Sequence, residues 1–296
     1  YSLPLLFLIV WLCYQIWVVG SSGPGEFFSN LRMSSNSPEA FTNLGFVIKR
    51  SYPLVFVLFL FEHVYANREN WNLRLLLFSY MLLYAIGHMS KYSILIPVLS
   101  WVIIQGIAGR LNAAKIALLA AVVFPLMMSV HFIRGASVSY LGPIRDIVAL
   151  YVYSPIVAFG YMDIDTSLHI GAYIFRFLYV IGNILNIGPD PVKVILPFVE
   201  VPVPTNVYTV MHTFYHDFGL LGVTLGAVLF GLFFSCLYYL SVKRGGLWLV
   251  LFSGYSITLA MQFSGDFLFL TFSNNLQILF YAVIVFLASR RVNYVR

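Results

Sequence analysis

The chain has 296 residues, of which 60% are apolar and only 9% charged, and its mean hydropathy is +0.88. This composition excludes a soluble globular domain, and the lack of sustained polar–apolar alternation excludes a transmembrane barrel. The net charge of +6 is typical of membrane orientation and of contact with anionic lipid, so we expect membrane lipids and no nucleic acid as partners.

Several apolar segments approach or reach the ~20 residues that a membrane-spanning helix needs. We therefore predict an all-α, polytopic helical membrane protein whose residues 1–296 form a single transmembrane domain. Because Tyr1 already lies inside an apolar run and is not Met, we expect a fragment that lacks earlier helices. The predicted spans, about eight in number, are 1–19, 44–66, 73–88, 92–108, 115–132, 216–241, 247–265 and 276–289.

Basic residues predict the orientation of these helices. Four short connections carry at least two arginine or lysine residues each, and all four fall on one side of the predicted topology. The positive-inside rule makes that side cytoplasmic, which puts both ends of the chain in the cytoplasm and residues 20–43 and 133–215 outside. The residues concerned are Arg68, Arg74, Arg110, Lys115, Lys243, Arg244, Arg290, Arg291 and Arg296.

The external segment 133–215 is too long for a tight connection and too apolar to be disordered. Its residues 143–162 and 168–187 are interpreted as interfacial or re-entrant helices that lie against the bilayer. Five prolines then predict an extended passage without helix. They are Pro189, Pro191, Pro197, Pro202 and Pro204.

A polar cluster, which includes Asn206, His212, His216 and Asp217, follows this passage. Charged side chains cost roughly 2.5–3.5 kcal/mol each at mid-membrane, so the cluster must lie at an interface or line a wet cavity. The two histidines share one helix face, a spacing that suits zinc. No further ligand stands at metalloprotease spacing, so we expect no metal and favour a base or orienting role for a histidine or Asp217. Capping of the following helix by Asp217 stays open.

Basic residues also converge on the predicted outer surface, against the usual charge bias. They suit a cavity for a pyrophosphate, although snorkelling or anchoring to lipid headgroups stays open for each of them. The residues are Lys49, Arg50, Lys91, Arg134, Arg145 and Arg176.

Two other features have simpler interpretations. Gly219, Gly222 and Gly226 predict close helix packing, and Asp266 is expected at the interface, where water solvates it.

One stretch resembles a known family. Thr205-Asn206-x-Tyr208-Thr209, followed by Asp217-Phe218-Gly219-x-x-Gly222, is similar to the signature of bacterial oligosaccharide repeat-unit polymerases, the Wzy-type O-antigen polymerases. The resemblance is diffuse over the rest of the chain. Ser90-Lys91 looks like the family's Ser-Arg motif at an outer helix turn, with Lys in place of Arg, and Arg134 in Phe-Ile-Arg-Gly matches better. Residues 151–159 resemble a family segment that we interpret as structural.

The resemblance implies a GT-C-like glycosyltransferase of the bacterial inner membrane, with a periplasmic active site and no cofactor. It would polymerise oligosaccharide units carried on undecaprenyl pyrophosphate, for O-antigen, capsular or exopolysaccharide, with a flippase and a chain-length regulator as partners. In this interpretation Arg134 and Arg145, with Lys91, Arg176 and Arg50, stabilise the departing pyrophosphate. His212 acts as the base with His216 and Asp217 nearby, while Asn206 and Tyr208 hold sugars.

Two alternatives remain from the sequence. An O-antigen ligase is the near neighbour, but its motif has a His-Asn-rich entry instead of Thr-Asn-x-Tyr-Thr. A flippase or transporter is the non-enzymatic alternative. Transporters usually show repeated halves and broken helices at the midplane, whereas this chain concentrates its polar residues in one outer segment.

Overall fold

The computed structural model describes residues 2–36, 43–65, 71–133, 144–161, 170–193, 196–201 and 204–293, and these ranges are mainly helical. The all-α prediction is thereby confirmed. The helices are α1 (Ser2–Ser21), α2 (Phe27–Asn36), α3 (Phe46–Tyr65), α4 (Trp71–Gly87), α5 (Lys91–Ile107), α6 (Ala113–Ile133), α7 (Ile144–Gly160), α8 (Arg176–Ile184), α9 (Met211–Arg244), α10 (Gly246–Ala260) and α11 (Phe272–Asn293). Two short strands, β1 (Val199–Glu200) and β2 (Pro204–Thr205), pair antiparallel.

The described helices are those of a helical membrane protein. Three of them are long and apolar enough to cross a bilayer, namely α1, α9 and the part of α11 up to Ser289. Helices α4, α5, α6 and α10 contain shorter apolar stretches. Leucine and phenylalanine side chains such as Leu220, Leu232 and Phe280 are exposed on α9 and α11, as expected of surfaces that face lipid. Each of the eight predicted spans overlaps a helix, although the span 247–265 extends beyond the end of α10 at Ala260.

The chain forms two compact units. Unit 1 comprises Tyr1–Ser137, Tyr238–Gly254 and Gln277–Arg296, and unit 2 comprises Val138–Leu237 and Tyr255–Leu276.

In unit 1, helix α4 packs against α1, α3 and α5. The rings of Tyr52 and Tyr84 stack with their centroids 4.2 Å apart, and Ser51 shares a 2.7 Å hydrogen bond with the hydroxyl of Tyr80. Helix α2 was not predicted, because its polar sequence has no apolar run. It is fixed by buried Asn30, whose amide donates to the carbonyl oxygen of Gly20 at 2.8 Å.

In unit 2, α7 confirms the helix predicted at 143–162, whereas the helix predicted at 168–187 is only partly formed. Residues 170–175 make turns instead, and Gly171 has a φ of +74°, which interrupts a regular helix. The described residues of the proline-rich passage form no helix, as predicted, and part of the passage makes the β1–β2 pair.

Helix α9 is broken at Gly219, whose φ of 61° and ψ of −150° are accessible to glycine and to few other residues. The parts before and after the break fold towards each other. A Cβ on Gly222 would collide with the backbone carbonyl oxygen of Phe214, and one on Gly226 would lie 2.6 Å from the Phe214 ring. In a straight helix, residues 214 and 222 would be roughly 12 Å apart along the axis. The packing interpretation is therefore confirmed for Gly222 and Gly226, but it was wrong for Gly219, which makes the bend.

We expect Gly222→Ala to destabilise the protein by about 1–3 kcal/mol, because the new methyl group meets a backbone atom that cannot rotate away. Thermal unfolding in detergent measures the loss. Gly231→Ala is the matched control, because nothing lies within 4 Å of a Cβ at that position of the same helix. Equal melting temperatures for the two variants would show that α9 does not fold back at Gly219.

Candidate functional site

Four aromatic side chains meet at the start of α9, and we call them the aromatic box: Tyr173, Tyr208, His212 and His216. The histidines lie one turn apart, as predicted, with ring centroids separated by 6.1 Å. The Tyr173 ring meets both histidines edge-on, with its centroid 5.0 Å from that of His212 and 4.8 Å from that of His216. The ring centroids of Tyr208 and His212 are 4.9 Å apart. The box thus joins three segments of unit 2, namely the turns at 170–175, the residues that precede α9, and α9 itself.

Asp217 holds the turn at 170–175 against α9. One carboxylate oxygen, Oδ2, accepts hydrogen bonds from the backbone N–H groups of Tyr173 at 3.1 Å and Ile174 at 2.8 Å. The other oxygen, Oδ1, lies 3.7 Å from Nδ1 of His216. Because these bonds reach back more than forty residues along the chain, Asp217 is a long-range tether. The hydrogen bonds of this carboxylate therefore do not support the alternative in which Asp217 caps the following helix.

Tyr208 is fixed from two sides. Its hydroxyl donates to the carbonyl oxygen of Pro197 at 3.0 Å, in the proline-rich passage. Its ring packs in a buried cluster with Ala158 of α7 and Val201. The prolines that exclude helix therefore supply the rigid backbone against which this side of the box is held.

Asp266 supports the first turn of α9 through a hydrogen bond from Thr213. The sequence placed it at a solvated interface, and this expectation was wrong, since the residue is only 5% exposed. Its Oδ1 accepts from the N–H groups of Leu268 and Phe269, each at 2.9 Å, and its Oδ2 accepts from the Thr213 hydroxyl at 3.1 Å. Burial raises the pKa of this carboxyl, and the hydrogen bonds oppose that rise. Asp266 is a positioning residue for the turn that carries His212.

Three buried polar atoms of unit 2 have no hydrogen-bond partner among the described residues: Nδ1 of His212, Oγ1 of Thr209 and Oγ of Ser154. His212 and Thr209 are each only 3% exposed. An unsatisfied buried polar group costs about 1–3 kcal/mol, and such groups are rare in native structures. Two of the three belong to the segment that forms the box, and Ser154 lies one turn before Ala158 on α7. These three atoms are candidates for hydrogen bonds to a bound molecule.

The predicted basic residues do not all gather at the box. Arg176 begins α8, and its Nε donates to the carbonyl oxygen of Val192 at 2.8 Å, while burial lowers the pKa of its guanidinium. Arg145 lies in the first turn of α7, and nothing is described of its side chain. Arg134 lies outside the described residues.

The other three predicted basic residues, Lys49, Arg50 and Lys91, belong to unit 1. The Arg50 guanidinium lies 5.2 Å above the Phe46 ring. Lys91 is the first residue of α5, and the preceding Ser90 caps this helix by accepting from the N–H of Ser93 at 3.3 Å. The predicted place of Ser90 and Lys91 at a helix turn is confirmed.

Asn206 and Phe159, which the sequence singled out, lie in well-defined surroundings, whereas two residues near the box were not predicted. Asn206 lies between β2 and α9, beside Thr205, whose hydroxyl accepts from the N–H of Val207. Phe159 packs edge-on against Tyr215 of α9, in keeping with a structural role for residues 151–159. Tyr173 and Ser154 could not be identified from the sequence, because both lie in apolar stretches without a distinguishing pattern.

The box combines two tyrosine rings with two imidazole groups. It offers aromatic surfaces, a few polar atoms at fixed positions and one imidazole with an uncommitted ring nitrogen, which either accepts or donates according to the tautomer. Among the described residues no group of three or more His, Cys, Asp or Glu is placed to hold a metal ion.

Comparison with protein-family models, with curated proteins and with solved structures gives no match to this chain.

Proposed function

We propose that the chain is a glycosyltransferase of the bacterial inner membrane that polymerises oligosaccharide repeat units carried on undecaprenyl pyrophosphate. The proposal rests on the motif of residues 205–222 and on the surroundings of those residues in unit 2. Four of the motif residues have a part in one construction: Tyr208 belongs to the box, Asp217 tethers it, Gly219 bends the helix that carries it, and Gly222 lets the two parts of that helix approach closely.

The observation that carries the proposal is the buried Nδ1 of His212, which has no partner among the described residues and lies within an aromatic box. A sugar hydroxyl that enters the box gives this nitrogen its missing partner. The fixed rings of Tyr173 and Tyr208 orient the sugar, and orientation of two reactants is itself a large part of catalysis.

In the proposed reaction the hydroxyl oxygen of the incoming unit forms a bond to the anomeric carbon of the growing chain. The bond from that carbon to the pyrophosphate oxygen breaks, and undecaprenyl pyrophosphate leaves with the bonding electrons. The hydroxyl proton passes to His212, as in general-base catalysis, which typically contributes 10²–10⁴-fold. Cationic residues of the outer surface, Arg134 and Arg145 among them, balance the negative charge of the leaving group.

The proposed topology has eight spans, a GT-C-like architecture, both ends of the chain in the cytoplasm and the box on the periplasmic side. Its test uses single cysteines at exposed positions, after Cys13 and Cys236, which are also exposed, have been replaced by alanine. We expect Ile187→Cys to react with an impermeant thiol reagent in spheroplasts, and Ala113→Cys to react only after lysis. Both side chains are exposed, so accessibility in the folded protein is matched. Labelling of Ala113→Cys alone in intact spheroplasts would reverse the orientation.

Purified protein incubated with lipid-linked repeat units tests the activity. A polymerase produces a ladder of lengthened chains that are still attached to the lipid. A ligase instead transfers a chain to a different acceptor, and a flippase moves the lipid across the bilayer without lengthening it. The absence of a ladder from protein that retains its native melting temperature would contradict the proposal.

A further inference from the structure

Helix α8 carries an exposed apolar face. Leu178, Ile181 and Leu185 follow one another at intervals of three and four residues, which places them on one side of the helix. Their exposed fractions are 52%, 49% and 60%, and Phe175, directly before the helix, is 46% exposed. We call these four side chains the apolar face of α8. Contiguous exposed apolar side chains of this kind mark a contact surface.

The polar side of α8 is bonded to its own chain. Arg176 and Asn183 each lie two residues before a member of the apolar face, which is roughly 200° around the helix axis. Arg176 donates to the carbonyl oxygen of Val192 at 2.8 Å, and the Asn183 amide donates to the Asp190 carboxylate at 2.7 Å. The polar groups therefore have partners within unit 2, whereas the apolar face needs a partner from outside it. A helix at the surface of a water-soluble domain has the reverse arrangement.

The break in α9 indicates what covers this face. The apolar part of α9, which is long enough to cross a membrane, begins with exposed Leu220 and Leu221 directly after Gly219. Because a span begins at a bilayer surface, the break marks that level. Asp217, two residues before the break, accepts hydrogen bonds from two backbone N–H groups of the turn at 170–175. The segment that leads into α8 is thus held at the bilayer surface, where acyl chains are within reach.

The length of α8 excludes a crossing of the bilayer. Its nine residues extend roughly 13 Å, against about 30 Å of hydrocarbon. The chain then turns at Asn186, whose φ is 56°, and the N–H of Ile187 donates back to the carbonyl oxygen of Gly182 at 2.9 Å. Exposed Asn186 and Asp190 follow the helix. A segment with this polarity returns to water, so Ile187 beside the turn stays within reach of water-soluble reagents.

We propose that α8 is a half-inserted membrane anchor, whose apolar face lies among the acyl chains of one leaflet while its polar side faces the headgroups. Amphipathic helices that lie in this way bury their apolar face roughly 5–10 Å into the boundary between headgroups and acyl chains. Ala172, Tyr173 and Ile174, between the anchor and the box, are buried. Insertion of α8 therefore holds Tyr173, and with it the aromatic box, at the surface of the bilayer. The anchor does not depend on the polymerase activity.

Spin labels on single cysteines test the proposal, in protein without Cys13 and Cys236 and in phosphatidylcholine vesicles. Electron paramagnetic resonance measures the accessibility of each label to oxygen, which concentrates in hydrocarbon, and to a nickel chelate that is confined to water. We expect Leu178→Cys, Ile181→Cys and Leu185→Cys to favour oxygen, at a depth of roughly 5–10 Å. Asn183→Cys is the control on the same helix, because this exposed residue lies on the polar side, and it should favour the nickel chelate.

Leu232→Cys is the reference for a position deep in the bilayer, since this exposed residue lies well inside the apolar part of α9. A depth at the three α8 positions equal to that of Leu232→Cys would overturn the proposal in favour of a re-entrant segment. Access of the nickel chelate to these positions, as at Asn183→Cys, would show that the apolar face lies in water. Exclusion of both reagents would show that a second copy or another protein covers it.

The double variant Leu178→Asn/Leu185→Asn tests whether the apolar face holds the anchor in the leaflet. With the label at Ile181→Cys, we expect the preference for oxygen to be lost, because the remaining apolar area no longer offsets the exposure of two amides to hydrocarbon. An unchanged melting temperature shows that the fold is kept. An unchanged depth of the label in this variant would contradict the proposal. The ladder assay is read separately, so the anchor and the polymerase can each fail while the other stands.

Discussion

His212→Phe is expected to reduce polymer formation by a factor of about 10²–10⁴ while the protein remains folded and inserted. Phenylalanine preserves a ring of similar shape between Tyr173 and Tyr208 but removes the nitrogen that would accept the hydroxyl proton. Because Nδ1 of His212 has no partner among the described residues, its loss removes an unsatisfied polar group, so we expect an unchanged or higher melting temperature. Ladder length per unit time and thermal unfolding together measure the two effects.

His63→Phe is the matched control for this variant. His63 lies in α3 of unit 1, and its Nδ1 forms a 2.8 Å hydrogen bond with the carbonyl oxygen of Phe59. The same substitution there removes a satisfied hydrogen bond and should lower the melting temperature without changing the rate. Polymer formation at the normal rate by His212→Phe would remove the base from the proposed mechanism and leave 205–222 as scaffold.

Much of the fold could be predicted because long apolar runs have few alternatives to helix in a membrane protein. Every predicted span overlaps a helix for this reason. The failure at α2 has the opposite cause. Its sequence, Phe27–Asn36, is mostly polar, and buried Asn30 holds it through bonds to the end of α1 and to the loop between α1 and α2. A bond of that kind depends on the folded arrangement and leaves no periodic pattern in the sequence.

The site was predictable only where it depends on local spacing. His212 and His216 share a face because they are four residues apart, and the sequence alone contains that fact. Tyr173 could not be found in this way, because the turn at 170–175 and a hydrogen bond to Asp217 bring it to the histidines. Asp266 was misjudged for a related reason. Position near a predicted helix end suggested solvent, but Thr213 and two backbone N–H groups enclose its carboxylate.

Asp217→Asn separates the structural use of this carboxylate from its chemical use. In the protein, Oδ2 accepts from the N–H groups of both Tyr173 and Ile174, and an asparagine oxygen can keep both bonds. The box should therefore stay in place, and the melting temperature should change little. The negative charge beside His216 is lost, however, so we expect the rate of polymer formation to fall at least tenfold.

Asp217→Ala should lower both the rate and the melting temperature, because it leaves two buried backbone N–H groups without an acceptor at about 1–3 kcal/mol each. Asp190→Asn is the control in the same unit, since this exposed carboxylate only accepts from the Asn183 amide at 2.7 Å, and neither quantity should change. A normal rate in Asp217→Asn, together with a low melting temperature in Asp217→Ala, would make the residue a tether only. The base would then be His212 without help from a carboxylate, because a rate that survives the loss of charge cannot depend on that charge.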